Sequence, residues 1–238
     1  MNYKIFCINL DIRPDRLEKM KNTFKLLNIE DKINYHIVKK NNNVADGCYR
    51  SHYECLLNFL KDDSLDYIII FEDDCNIDKD DILWEKIIKD IEYFFSSKYD
   101  YGFFSVGCSP CGLKMKKLGN RIIETMFLSS LCYAIKKEEF LKLQNNLEKY
   151  LNTNTHIDIF YINFIENQIG YEYPIFYQNL LDSDNKWTDL KNIDAIPRHI
   201  LELSRKFNMN NSLIFKIGNV FMINNKLKND FNIKNVRL

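Results

Sequence analysis

The sequence has no net charge: 33 lysines and arginines are balanced by 33 aspartates and glutamates over 238 residues. A chain without a global field offers no electrostatic argument for nucleic acid or for an anionic membrane surface. It also lacks an apolar run of bilayer length. Its apolar start, residues 1–10, contains Lys4 and runs directly into Asp11, Arg13, Asp15 and Arg16. That stretch is too short for a secretory signal and has no small-residue cleavage site, so a cytoplasmic protein is expected. Internal repeats and flexible linkers are missing too. One large domain is therefore expected, with enough chain to bury a core without staples. We assign residues 1–194 to that domain and 195–238 to a C-terminal extension packed on it. The cysteines lack an even count: there are seven, all within the first 132 residues and mostly inside apolar patterns. They read as reduced core residues. Cys108 and Cys111 make one CxxC with no second ligand pair, which argues against zinc or redox use.

What is present centres on residues 66–78, DYIIIFEDDCNID. Ile68, Ile69, Ile70 and Phe71 run without a break into Glu72, Asp73 and Asp74. A short continuous apolar run followed at once by acid reads as a buried strand whose end emerges into a cleft. Side chains alternate along a strand, which sets Glu72 and Asp74 on one face and Asp73 on the other. Adjacent carboxylates repel unless a cation or hydrogen-bond donors compensate. Oxygen-only ligation of this kind suits Mg²⁺ or Mn²⁺ holding a substrate phosphate. A solvated acidic turn after a core strand is the competing reading of these residues alone.

The rest of the pattern alternates strands with helices. Residues 3–10 form a β-branched and aromatic first strand. Pro14 suits the first turn of a helix whose apolar face is Leu17, Met20, Phe24 and Leu27. Residues 35–39 form a second strand, and 40–46 a polar loop. Ser51 and Glu54 then read as a capping box, with His52 in the first turn and Cys55, Leu56, Phe59 and Leu60 as the buried face. A broad stripe from Ile82 to Phe95 marks another helix. Strands follow at 101–106, 121–127 and 131–135, with a loop over 107–119. A helix spans 138–151, a further one starts after a Thr155 cap, and a strand covers 171–177. A helix over 197–207 and a hairpin over 213–223, turning at Gly218 and Asn219, complete the chain. The order implies an α/β fold with a mixed sheet.

Several of these segments, in this order, resemble glycosyltransferase family 25, the lipooligosaccharide and collagen galactosyltransferases. They are IFCINLDIRPDRLEKM, GCYRSHYECL (residues 47–56), YIIIFEDD, LSSLCYAIKKEEFLKL (128–143), HIDIF (156–160) and YPIFYQ with the later DSD. Cys132 and Tyr133 stand where the family usually has Gly-Tyr. The resemblance covers roughly residues 3–184. It implies a GT-A-type nucleotide-sugar transferase fold, a mixed, mostly parallel sheet flanked by helices. It implies transfer of a hexose, galactose or glucose, from a UDP-sugar to a glycan or protein hydroxyl, with inversion and with a divalent cation, Mn²⁺ or Mg²⁺. The residues it points to are Asn9, Arg13, Arg16, Ser51, His52, Glu72 and Asp73 on the nucleotide-sugar, Asp74 with Glu72 on the metal, and Asp158 as catalytic base. Asp158 equally fits a capping box with Thr155. Two other functions stay open: a nucleotidyltransferase or phosphoesterase using Glu72, Asp73 and Asp74 with Asp182 and Asp184 as a second acidic cluster, and a non-catalytic sugar-binding relative.

Overall fold

Residues Tyr3–Leu10 (β1) start the sheet one strand in from its edge, with a parallel neighbour on each side. The computed structural model describes residues 1–77, 84–96, 101–111, 115–119, 121–172 and 174–178. All belong to a first unit, Met1–Asn179. The extension expected over 195–238, the pair Asp182 and Asp184, and Ile82 and Leu83 lie outside the described residues.

After β1 come Pro14–Leu26 (α1), Ile33–Val38 (β2), Val44–Leu60 (α2), Tyr67–Glu72 (β3), Cys75–Ile77 (β4), Trp84–Ser96 (α3) and Phe103–Ser105 (β5). Then follow Ser109–Pro110 (β6), Lys116–Lys117 (β7), Ile122–Glu124 (β8), Phe127–Leu128 (β9) and Cys132–Lys136 (β10). Lys137–Lys149 (α4), Ile157–Phe164 (α5), Gln168–Tyr171 (β11) and Phe176–Gln178 (β12) close the described part. The main sheet is ordered β2-β1-β3-β10-β5-β11-β8-β7. Strands β10 and β8 run against the others, so the sheet is mixed with most strands in one direction. Two ribbons, β12 with β4 and β6 with β9, stand beside it.

Each face of the sheet is covered by its own apolar layer. One holds Ile5, Cys7, Tyr67, Ile69 and Phe71 with Met20 and Phe24 of α1 and Ile87, Ile91 and Phe95 of α3. The other holds Phe6, Ile8, Ile68 and Ile70 with Tyr49, Leu56 and Phe59 of α2, Phe140 of α4 and Phe160 of α5. This explains the unbroken run in β3: residues Tyr67 to Phe71 have no exposed surface, because both sides of the strand are packed. Each isoleucine buried there contributes roughly 1.5–3 kcal/mol over its exposed state.

Four sequence expectations are corrected. Helix α2 begins at Val44 and not at a Ser51 cap, since Asn43 is the N-cap and its side-chain oxygen accepts the Asp46 N–H at 3.3 Å. The polar stretch expected as a loop thus ends in helix, and Gly47 lies in its first turns. A Cβ on Gly47 would stand 2.7 Å from Cβ of Asn41, so the preceding turn can fold over the helix only because that atom is missing. The strand expected over 121–127 is two short ones, β8 and β9, in different sheets, and the one over 171–177 divides into β11 and β12. Gln168 separates β8 from β9: its backbone carbonyl takes the Thr125 N–H at 3.0 Å while its side-chain oxygen takes that of Phe127 at 3.0 Å. Thr155 is also not a cap; His156 is the N-cap of α5 and makes no side-chain capping bond. All seven cysteines are unpaired.

Candidate functional site

The chain leaves β1 through α1 to reach β2 on one side, then returns through α2 to β3 on the other. The two helices pack on opposite faces. The strand order thus reverses between β1 and β3, and in open α/β sheets ligands bind in the crevice outside the carboxyl ends of the strands at such a reversal. The register puts Ile8 opposite Glu72, so the ends of both strands meet there.

The alternation expected of Glu72 and Asp73 is visible in what they touch, whereas β3 ends at Glu72 and Asp74 lies in the turn beyond it. Glu72 follows Ile68 and Ile70 onto the α2 face, where its Oε1 lies 3.2 Å from Nε2 of His52 and accepts the Ser130 hydroxyl. Asp73 follows Phe71 onto the α1 face, where it receives Nη1 of Arg16 at 2.8 Å and the backbone N–H of Leu10 at 3.2 Å. Asp74 is buried in the turn before β4, where its backbone carbonyl accepts the Asn76 side-chain amide at 3.2 Å.

Arg16 is 4% exposed, so the Arg16–Asp73 pair is a strut between α1 and the end of β3. Burial pushes the Asp73 carboxyl up despite the guanidinium beside it. Removing one partner of a buried pair leaves an uncompensated charge, which costs about 3–5 kcal/mol. Arg16→Ala should therefore lower the melting temperature by roughly 10 °C. The double variant Arg16→Met/Asp73→Asn should regain most of that loss in the same thermal scan. A single variant that melts like the wild type but binds UDP more weakly would instead put Arg16 on the nucleotide.

On the other face a buried polar chain stands behind Glu72. His52 is 1% exposed. It lies in the middle of α2, not in a first turn, and its Nδ1 is 2.9 Å from the Tyr133 hydroxyl. That hydroxyl is 2.8 Å from the hydroxyl of Tyr161. Burial pushes the Tyr133 phenol well above its ordinary range, so it stays a neutral donor and acceptor. Burial also pushes the Glu72 carboxyl up, but the hydrogen bond and attraction of His52, the Ser130 hydroxyl and Arg16 outweigh it, and the net displacement is downward. Glu72 is held ionised, its side chain 23% exposed at the crevice.

Asp158 reaches this neighbourhood from α5. One carboxylate oxygen accepts the Ser129 N–H at 2.9 Å and the other accepts the N–H of Ile159 at 2.9 Å. Ser129 has a positive φ of 76°, a conformation that a non-glycine residue keeps only when its surroundings impose it. Asp158 thus fixes the turn that presents Ser130 to Glu72.

The remaining sequence candidates are dispersed. Asn9 is buried and donates to the carbonyls of Leu10 at 2.6 Å and Arg13 at 3.4 Å, bracing the turn into α1. Arg13 is engaged at the helix start by Asp15 at 2.8 Å, which holds the Asp15 carboxyl down at about 2. Ser51 turns its hydroxyl onto the Gly47 carbonyl at 2.8 Å. Its supposed capping partner Glu54 lies 3.1 Å from His36 on β2. Three residues not singled out from the sequence as site residues belong here: Cys48, Ser130 and Tyr133. Cys48 and His52 stand four apart on one face of α2, a spacing recognisable only once the helix is known to begin at Val44.

Among the described residues, one group of three side chains is able to hold a metal ion: Cys48, His52 and Glu72, with donor atoms all within 4.8 Å of one another. No helix among the described residues is long and apolar enough to cross a membrane.

No protein-family model and no curated protein matches the chain. Solved structures do. A glycosyltransferase involved in the glycosylation of the major capsid of PBCV-1 superposes with a TM-score of 0.50 at 10% identity, over 77% of this chain and 95% of that one. A crystallised protein from STIV gives 0.45 at 15% identity, over 74% and 83%. A UDP-glucose pyrophosphorylase complexed with UDP-glucose gives 0.41 at 13% identity, over 71% and 73%. The mixed sheet flanked by helices, shared with the capsid glycosyltransferase, is a GT-A-type fold.

Proposed function

We propose that this chain is a metal-dependent glycosyltransferase of the family 25 type, moving galactose or glucose from a UDP-sugar to an acceptor hydroxyl with inversion. The observation that carries the reading is the acidic end of β3, Glu72 held ionised and Asp74 buried in the turn beyond it, at the point where the strand order reverses between β1 and β3. The GT-A-type fold and the ordered sequence resemblance over residues 3–184 support the same reading. Glu72 and Asp74 offer oxygen donors only, which fits Mn²⁺ or Mg²⁺ and a diphosphate. An ion held there would supply positive charge to the leaving diphosphate.

The residues around that position have separable duties. His52 and Ser130 fix the Glu72 carboxylate in one rotamer and keep it charged. Asp73 and Arg16 hold the ends of β1 and β3 together, so the nucleotide crevice keeps its width. We assign proton removal from the acceptor hydroxyl to Asp158, whose oxygens each have a second lone pair beyond the backbone N–H they accept. The acceptor is a glycan, a protein hydroxyl or a lipid-linked sugar. Residues 195–238 are assigned to a C-terminal extension.

The test is a panel of UDP-sugars with Mn²⁺, read by UDP release. Release from UDP-galactose or UDP-glucose, accelerated by an acceptor, is the expected outcome. Release of phosphate or of nucleoside monophosphate would make the chain a phosphoesterase or nucleotidyltransferase. No release from any donor, with UDP-sugar still bound, would make it a binding protein.

A further inference from the structure

We propose that Cys48, His52 and Glu72 form a site for a thiophilic divalent cation of the Zn²⁺ class, which shares Glu72 with the oxygen-only donor ion proposed above but differs from it in ligand chemistry. The three residues combine a thiol, an imidazole and a carboxylate, the mixed set that suits zinc and that Mg²⁺ or Mn²⁺ does not require. Nε2 of His52 and Oε1 of Glu72 are already 3.2 Å apart. That is close to the edge of a tetrahedron built on metal bonds of about 2.0–2.1 Å. The sulfur lies within 4.8 Å of a donor atom on each of these two residues. A shift of about 1 Å at the half-buried Cys48 side chain closes the tetrahedron.

Two further features favour a ligand here over a plain imidazole–carboxylate contact. First, all three residues stand on rigid elements: Cys48 and His52 one turn apart on α2, Glu72 at the last position of β3. Second, the far nitrogen of His52 is held by Tyr133, which is braced in turn by Tyr161. A metal-bound histidine needs such a partner on its other nitrogen. The hydroxyls rotate, so the same chain serves either tautomer: Tyr133 donates to Nδ1 when Nε2 carries the proton, and accepts from it when Nε2 binds an ion. Entry is from the Cys48 and Glu72 side, since His52 is closed off. Three protein ligands leave a fourth position open. On binding, the Cys48 thiol gives up its proton to solvent and becomes the thiolate ligand.

The site is tested without any assay of transfer, so its failure and that of the proposed function are distinguishable. The full chain, reduced and metal-free, is titrated with Co²⁺ under argon. A thiolate-to-cobalt charge-transfer band in the near ultraviolet is expected, saturating at one equivalent and removed by Zn²⁺. Cys48→Ser should lose the band, while Cys111→Ser, at the other half-buried cysteine, should keep it. Near-ultraviolet circular dichroism establishes that each variant is folded. Tyr133→Phe, which leaves the fold's volume unchanged, should weaken Zn²⁺ binding roughly 10–100-fold while keeping the band at saturation. No thiolate band in the wild type, or a band that survives in folded Cys48→Ser, overturns the proposal.

Discussion

Asp74→Asn is expected to reduce transfer by roughly 10²–10⁴-fold, because a metal that stabilises a departing diphosphate supplies several kcal/mol in the transition state. The substitution keeps the volume of the side chain in the turn between β3 and β4. The melting temperature should accordingly stay within a few degrees of the wild type. Chelation should reproduce the loss in the wild-type protein, and added Mn²⁺ should restore it there but not in the variant. The measurement is UDP release at saturating donor, with and without EDTA. Full activity in EDTA would remove the metal from the reaction, and with it the roles assigned to Glu72 and Asp74.

Asp158→Asn is expected to lower turnover by roughly 10²–10⁴-fold with donor affinity intact, the loss associated with removing a positioned general base. The amide oxygen of asparagine can still accept the Ser129 N–H that the carboxylate accepts at 2.9 Å, so the turn carrying Ser130 should persist. Basicity is what the substitution removes. Turnover and UDP-sugar affinity measured together decide the assignment. A rate near the wild-type value with a melting temperature lowered by a few degrees would leave Asp158 as the residue that holds Ser129, and nothing more. The base would then have to be sought at Asp182 and Asp184.

The sheet-forming runs and helix faces were legible because they are local patterns. Residues 3–10 read as a strand and are one. Met20, Phe24 and Leu27 are buried as the spacing demands, and so are Ile87, Ile91, Phe94 and Phe95. Pro14 opens α1 as expected. The start of α2 was not legible for an equally local reason. Asn41, Asn42 and Asn43 are all competent caps, while Ser51 and Glu54 have capping-box spacing inside a helix that had already begun. What decides between them is the company each keeps: Ser51 satisfied by the Gly47 carbonyl one turn back, Glu54 drawn to His36 on β2.

The amino-acid sequence by itself determined that β3 is buried on both faces and ends in acid, since an unbroken apolar run followed by carboxylates admits no other economical burial. It also determined which side of the strand Glu72 and Asp73 take, because a strand has a period of two. Only the tertiary structure decided what those carboxylates meet. Glu72 finds His52 across 20 positions of sequence and Ser130 across 58, and Asp73 finds Arg16 across 57. Those meetings depend on α1 and α2 leaving on opposite faces and on β10 pairing antiparallel beside β3. Neither arrangement is written in any window of residues, because hydrophobic burial is non-directional and selects a neighbour only when the whole sheet is assembled.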